Sequence, residues 1–179
     1  GCSFGECWTP TDNFFKSLGC GEVVNISKVA TSFQRTCRST VEWIAQNGNP
    51  EFVMIPITFA HRWELAISKT EDPIDGSWFP LQRKELIDGH KNELRSDVDV
   101  DKLKNMLDLY YGSIPTINTH WDKIFTEIIM LSSFLEQKNI KYLFLDMCNE
   151  FDRIHIKGYS GFEKLKLIEQ NRNIVDLFS

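Results

Sequence analysis

Two apolar runs constrain this chain more than any other feature. They are Phe52-Val53-Met54-Ile55-Pro56-Ile57-Thr58 and Ile140-Lys141-Tyr142-Leu143-Phe144-Leu145-Asp146-Met147. Both have the length and the β-branched or aromatic content of strands. The first is almost continuously apolar, the pattern of a strand covered on both faces, as in a parallel sheet. Pro56 has no N–H to give a ladder, which predicts a place at the strand's carboxyl end or at a bulge. Each run follows a stretch of helical period. Ser32 can cap a helix reaching Gln46, with Phe33, Cys37, Val41 and Ile44 on one face. Asn118 to Gln137 carries a wide stripe of Trp121, Ile124, Phe125, Ile128, Ile129, Leu131 and Leu135. Between the first helix and the first run, Asn47-Gly48-Asn49-Pro50 is turn chemistry.

The remaining segments fill in the same rhythm. Thr11 to Leu18 reads as a short helix stopped by Gly19, and Glu22 to Ser27 as a short strand. Phe162 to Asn171 reads as a helix leading into a strand that opens at Ile174. Residues 68–116 break the alternation with Asp72-Pro73, Gly76, Pro80 and Asp88-Gly89-His90, and a charge-rich stretch follows from Lys91 to Lys104. They predict an excursion or lid holding one helix near Asp101 to Tyr110. Strands alternating with helices predict a single α/β domain over residues 1–179, three-layer α/β/α, with a mostly parallel sheet and right-handed crossovers. The chain opens on Gly1 instead of Met and closes as a strand begins. These ends predict a piece of a larger domain, without its first strand and its C-terminal block.

Composition narrows the classes of function. At 42% hydrophobic and 25% charged residues, 179 residues are enough for one ordinary folded domain. A net charge of −5 opposes general binding to a phosphate backbone. No stretch reaches the roughly 18 apolar residues of a membrane span, and no signal peptide is visible, so the expected location is cytoplasmic. Cys2, Cys7, Cys20, Cys37 and Cys148 are odd in number and irregular in spacing, which fits free thiols in a reducing compartment. No CxxC pair occurs, so no metal site is expected, and no GxxxxGK[ST] or GxGxxG supports a phosphate loop.

In a parallel α/β sheet the site lies beyond the carboxyl ends of the strands. Ser27 to Ser32, Thr58 to Glu64 and Asp146 to His155 are therefore the segments of interest. The opening Gly1-Cys2-Ser3-Phe4-Gly5-Glu6 resembles the first block of the SGNH (GDSL-like) hydrolase superfamily, in its phage and marine-metagenome form, with Cys2 where a Gly-Asp-Ser turn carries Asp. Asn25 to Thr36 is similar to the second block. Thr58, Arg62 and Glu64 look like the third, where a strand is followed by an Arg-x-Glu.

The resemblance implies an SGNH- or flavodoxin-like fold and an esterase that works through an acyl-serine. Ser3 would be the nucleophile, activated by a base while preset donors hold the oxyanion. Its own N–H and one near Ala30 would serve the oxyanion hole, with Thr58, His61 and Arg62 lining the pocket. Asp152-Arg153-Ile154-His155 has the Asp-x-x-His spacing of the family's base, although the family's order of strands puts that pair beyond Ser179. No cofactor is implied. The substrate would be a small-molecule, glycan or lipid ester, and the oligomeric state is left open. Ala30 stands where the family favours Gly, and no Gly-x-Asn-Asp supplies a side-chain donor. Both departures favour the alternative, a non-catalytic binding or structural module of a phage or bacterial protein built on the same scaffold. The plainer reading of His61-Arg62-Trp63-Glu64 is an Arg62–Glu64 pair stacked on Trp63.

Overall fold

The computed structural model describes residues 19, 21–28, 31–59, 61–69, 78–81, 84–113, 117–146 and 174–176. Helix α1 spans Phe33–Asn47 and runs through a turn into strand β1, Phe52–Ile57. Strand β2 is Trp63–Leu65 and β3 is Phe79–Leu81. Helix α2, Lys84–His90, continues into a 3-10 turn at Lys91–Glu93. Helix α3 covers Val100–Ser113 and α4 covers Ile117–Gln137. Strand β4, Lys141–Asp146, and β5, Ile174–Asp176, complete the order.

The fold is mixed α/β. Strands β1, β4 and β5 form a parallel sheet in that spatial order, with Phe52 opposite Lys141 and Phe144 opposite Ile174. A separate antiparallel pair joins β2 to β3, with Trp63 opposite Leu81. Pro56 is the penultimate residue of β1, opposite Leu145, so the ring falls at the carboxyl end as the sequence predicts.

Helix α1 starts where Ser32 adopts an extended backbone and its hydroxyl accepts the Arg35 N–H at 3.2 Å. It stops at Gly48, whose φ of 92° is in the region that favours glycine and whose N–H reaches the Ile44 carbonyl at 2.9 Å. The buried hydroxyls of Ser39 and Thr40 bond back to the carbonyls of Arg35 (2.8 Å) and Thr36 (2.7 Å). A polar helix face can therefore lie inside the fold.

Helix α4 ends in a Schellman arrangement with an asparagine in the left-handed position, Asn139 at φ 56°. The Asn139 N–H bonds to the Glu136 carbonyl and the Ile140 N–H to the Leu135 carbonyl, both at 3.0 Å. Leu135 and Ile140 are both buried, so the hydrophobic contact that accompanies this motif delivers the chain straight into β4.

One apolar cluster joins α1, α4, β1 and β4 through Phe33, Ile44, Ile55, Trp121, Phe125 and Phe144, among others. Burying each of the large side chains is worth about 1.5–3 kcal/mol before conformational entropy is charged against it. A second cluster holds Phe79, Leu81, Ile87, Leu94, Leu103 and Leu107, with Trp63 and Tyr111 packed on it. It gives β2, β3, α2 and α3 a small core of their own, drawing on β2 as well as on described parts of the excursion that the turn signals mark.

One expected element is absent. Residues 22–27 form no strand. Val24 is half exposed, and the Asn25 side chain accepts the Ser27 N–H at 3.0 Å, a local bond that competes with a ladder. The segment is instead tied to α1 by the buried Arg35, whose Nη1 donates to the Ile26 carbonyl at 3.0 Å. The helices expected at Thr11–Leu18 and Phe162–Asn171 lie outside the described residues.

Candidate functional site

Connectivity decides which ends of the helices face the crevice. Helix α1 enters β1 through a short turn and α4 enters β4 through Lys138–Asn139, so each helix's N-terminal half lies toward the strands' carboxyl ends. Just past β1 come Thr58, Phe59, His61 and Arg62. Thr58 is fully buried, and its hydroxyl has no hydrogen-bond partner among the described residues. The Arg62 N–H closes a turn on the Phe59 carbonyl at 3.2 Å, and the Arg62 guanidinium lies over the Phe59 ring at 4.7 Å. His61 is exposed beside that ring, with centroids 5.6 Å apart.

Glu64 is buried to 1% side-chain exposure and sits at the centre of the polar contacts. Its Oε1 accepts the Ser32 backbone N–H at 3.1 Å, just where α1 begins. Its Oε2 takes a charge-assisted bond from Arg38 Nη2 at 2.8 Å. A carboxylate at this position also faces the positive end of the α1 dipole. The Arg38 guanidinium in turn lies over the Trp78 ring at 4.2 Å. Glu64 thus pairs with an arginine 26 residues earlier in the chain, where the sequence suggests Arg62. The strand begins at Trp63, and Arg62 closes the turn ahead of it with its guanidinium over Phe59. Among the described residues Trp63 stacks on Tyr110, at 4.5 Å. Spacing alone does not choose between two arginines.

Behind Glu64, α4 brings further charge. Burial pushes the Glu127 carboxyl up to about 7 from its ordinary 4.5, with Lys123 and a hydrogen bond from Gln34 working the other way. The Glu64 charge pushes Glu127 further up, and Arg38 pulls it down. Burial also holds the Lys123 ammonium below its ordinary value, against the attraction of Glu127 and Glu64. The Cys37 thiol is raised well above its ordinary value by burial first and by Glu127 second, which makes it a poor nucleophile.

Aromatic rings adjoin Trp63, the neighbour of Glu64. Tyr110 meets Tyr111 edge-on at 5.1 Å and His120 at 5.9 Å. Burial, with Lys123 second, lowers the His120 imidazole below its ordinary value. The Tyr111 hydroxyl lies 3.0 Å from the His61 carbonyl and 3.1 Å from that of Leu81, and its single proton is shared between them. Burial pushes that phenol up to about 12.

Of the residues expected from sequence, Thr58, His61 and Arg62 fall together after β1, whereas Ser3, Ala30, Asp152 and His155 lie outside the described residues. Arg38, Lys123 and Glu127 are residues the sequence does not point to. A signal exists for Glu127, which stands three residues after Ile124 and four before Leu131, beside the apolar stripe of α4. Among the described residues no group of three or more His, Cys, Asp or Glu side chains could hold a metal ion, and no helix is long and apolar enough to cross a membrane.

No curated protein and no solved structure matches the chain. Residues 4–179 match a family described as a family of unknown function, DUF6071. The match takes in both apolar clusters and the crevice segments, and the chain belongs to that family.

Proposed function

We propose that the chain is a serine hydrolase acting on ester bonds, of the SGNH type, in a three-layer α/β/α fold. Ser3 Oγ attacks the ester carbonyl as an imidazole base takes its proton. The tetrahedral oxyanion is held by amides at Ser3 and near Ala30. The alcohol leaves carrying that proton, and water then releases the acid from the acyl-serine. His155 is the base and Asp152 orients its imidazole.

One observation carries this reading. The second and third blocks of the resemblance, far apart in sequence, are joined by the 3.1 Å bond from the Ser32 N–H to Glu64 Oε1. Glu64 follows β1 in the chain, and the helix that Ser32 caps begins toward the carboxyl ends of the parallel strands, the side on which this chemistry requires its turn and its pocket.

Treatment with a fluorophosphonate probe tests the reading directly. Labelling at Ser3 is expected, together with turnover of p-nitrophenyl acetate that Ser3→Ala abolishes without changing the circular dichroism spectrum. A folded wild-type protein that takes no label and turns over no ester is a binding module on this scaffold.

A further inference from the structure

The Glu64 side chain joins three segments at once. It belongs to β2, its Oε1 receives the N–H that opens α1, and its Oε2 receives the guanidinium that covers Trp78 just before β3. A carboxylate this deeply buried is stable only when its oxygens are bonded, and here each oxygen has its own partner. The two bonds differ in kind. One is an amide held at a helix start; the other is an ion pair to a side chain that is 21% exposed and stacked on an indole.

We propose that Glu64 is a positioning residue whose two oxygens independently set the opening turn of α1 and the docking of the Arg38–Trp78 pair. One side chain thereby fixes the start of α1 to the unit formed by β2, β3, α2 and α3. Its effect on turnover rests on the hydrolase reading, in which the turn leading to Ser32 carries an oxyanion amide. The placement itself does not depend on that reading.

Two substitutions separate the two arms. Glu64→Gln keeps an acceptor for the Ser32 N–H and turns an uncharged amide toward Arg38, whereas Glu64→Ala removes both bonds. Hydrogen exchange followed by NMR reads each arm in the intact chain. In Glu64→Gln the Ser32 amide should keep its protection, while the Arg38 side-chain protons exchange roughly tenfold faster and the Trp78 indole resonance moves. In Glu64→Ala the Ser32 amide should also exchange roughly tenfold faster, with the amides of Thr40 to Ile44 unchanged.

Should Glu64→Ala not fold, Glu64→Gln alone still decides. An unmoved Trp78 resonance with unchanged Arg38 exchange overturns the proposal. So does an equal loss of protection along the whole of α1, which a merely structural role would give. In a wild type that labels at Ser3, a folded Glu64→Ala, which loses the Ser32 bond, should lower kcat for p-nitrophenyl acetate with little change in KM, and an unchanged kcat removes the functional half of the proposal. A wild type that never labels overturns the hydrolase reading, and the exchange pattern still judges the placement of Glu64.

Discussion

Glu127 is the residue whose surroundings most alter its chemistry. Its ordinary pKa of 4.5 is raised to about 7, by burial before anything else. Between those two values the folded protein holds a proton that the unfolded chain releases, so stability falls as pH rises. The folded state has its full stability with respect to this group below about 4.5 and loses it as pH passes through about 7. A tenfold change in proton affinity corresponds to about 1.4 kcal/mol, so at most about 3 kcal/mol is at stake. Glu127→Gln keeps the shape and removes the charge. It should therefore unfold at nearly the same urea concentration as wild type at pH 4 and at a clearly higher one at pH 8. Equal midpoints at pH 8 would show that Glu127 is ionised at little cost in the folded protein.

At the scale of the element, α1 combines what the sequence makes plain with what it hides. The cap, the apolar spacing and the stop are local chemistry, and Ser32, Phe33, Ile44 and Gly48 carry them in the order the chain presents. Ser32→Ala keeps the backbone N–H that Glu64 holds and removes only the 3.2 Å cap to Arg35. It should cost about 1 kcal/mol, read as a shift in the urea midpoint, and should leave the Trp78 resonance in place. Strands β1 and β4 and helix α4 are equally legible, the strands as dense apolar runs and the helix as a long periodic stripe. Glu22–Ser27 is not: β-branched residues suggest a strand there, but Asn25 bonds its own backbone and Arg35 claims the Ile26 carbonyl. The polar part of the crevice is legible only in outline. Thr58, His61 and Arg62 follow from the rule about strand ends, but the partner of Glu64 is fixed by how α1 packs on β2. A contact between residues 26 apart leaves no periodic trace.

At the scale of the whole molecule the two apolar clusters share no core residue. Besides the two bonds of Glu64, the links between their surroundings include the Tyr110–His120 ring contact, the Tyr111 hydroxyl on the His61 carbonyl and the Arg38–Trp78 contact. Such contacts are worth roughly 0.5–1.5 kcal/mol each. Truncating a fully buried leucine costs roughly 2–5 kcal/mol, which is of the same order as all of them together. Leu107 is 1% exposed in the second cluster and lies in α3, one turn before Tyr110 and Tyr111. Leu107→Ala should therefore loosen residues 63–113 before the sheet. Amide exchange should quicken across α3 and the β2–β3 pair, while the α4 amides from Ile124 to Leu131 keep wild-type protection. If the α4 amides quicken by the same factor, the two cores open as one cooperative unit, and the links through Tyr110, Tyr111 and Arg38 are stronger than their separate magnitudes allow. If only α3 and the β2–β3 pair respond, the crevice has one firm wall, built by the sheet, α1 and α4. Its other wall can then open at a cost well below that of unfolding the chain.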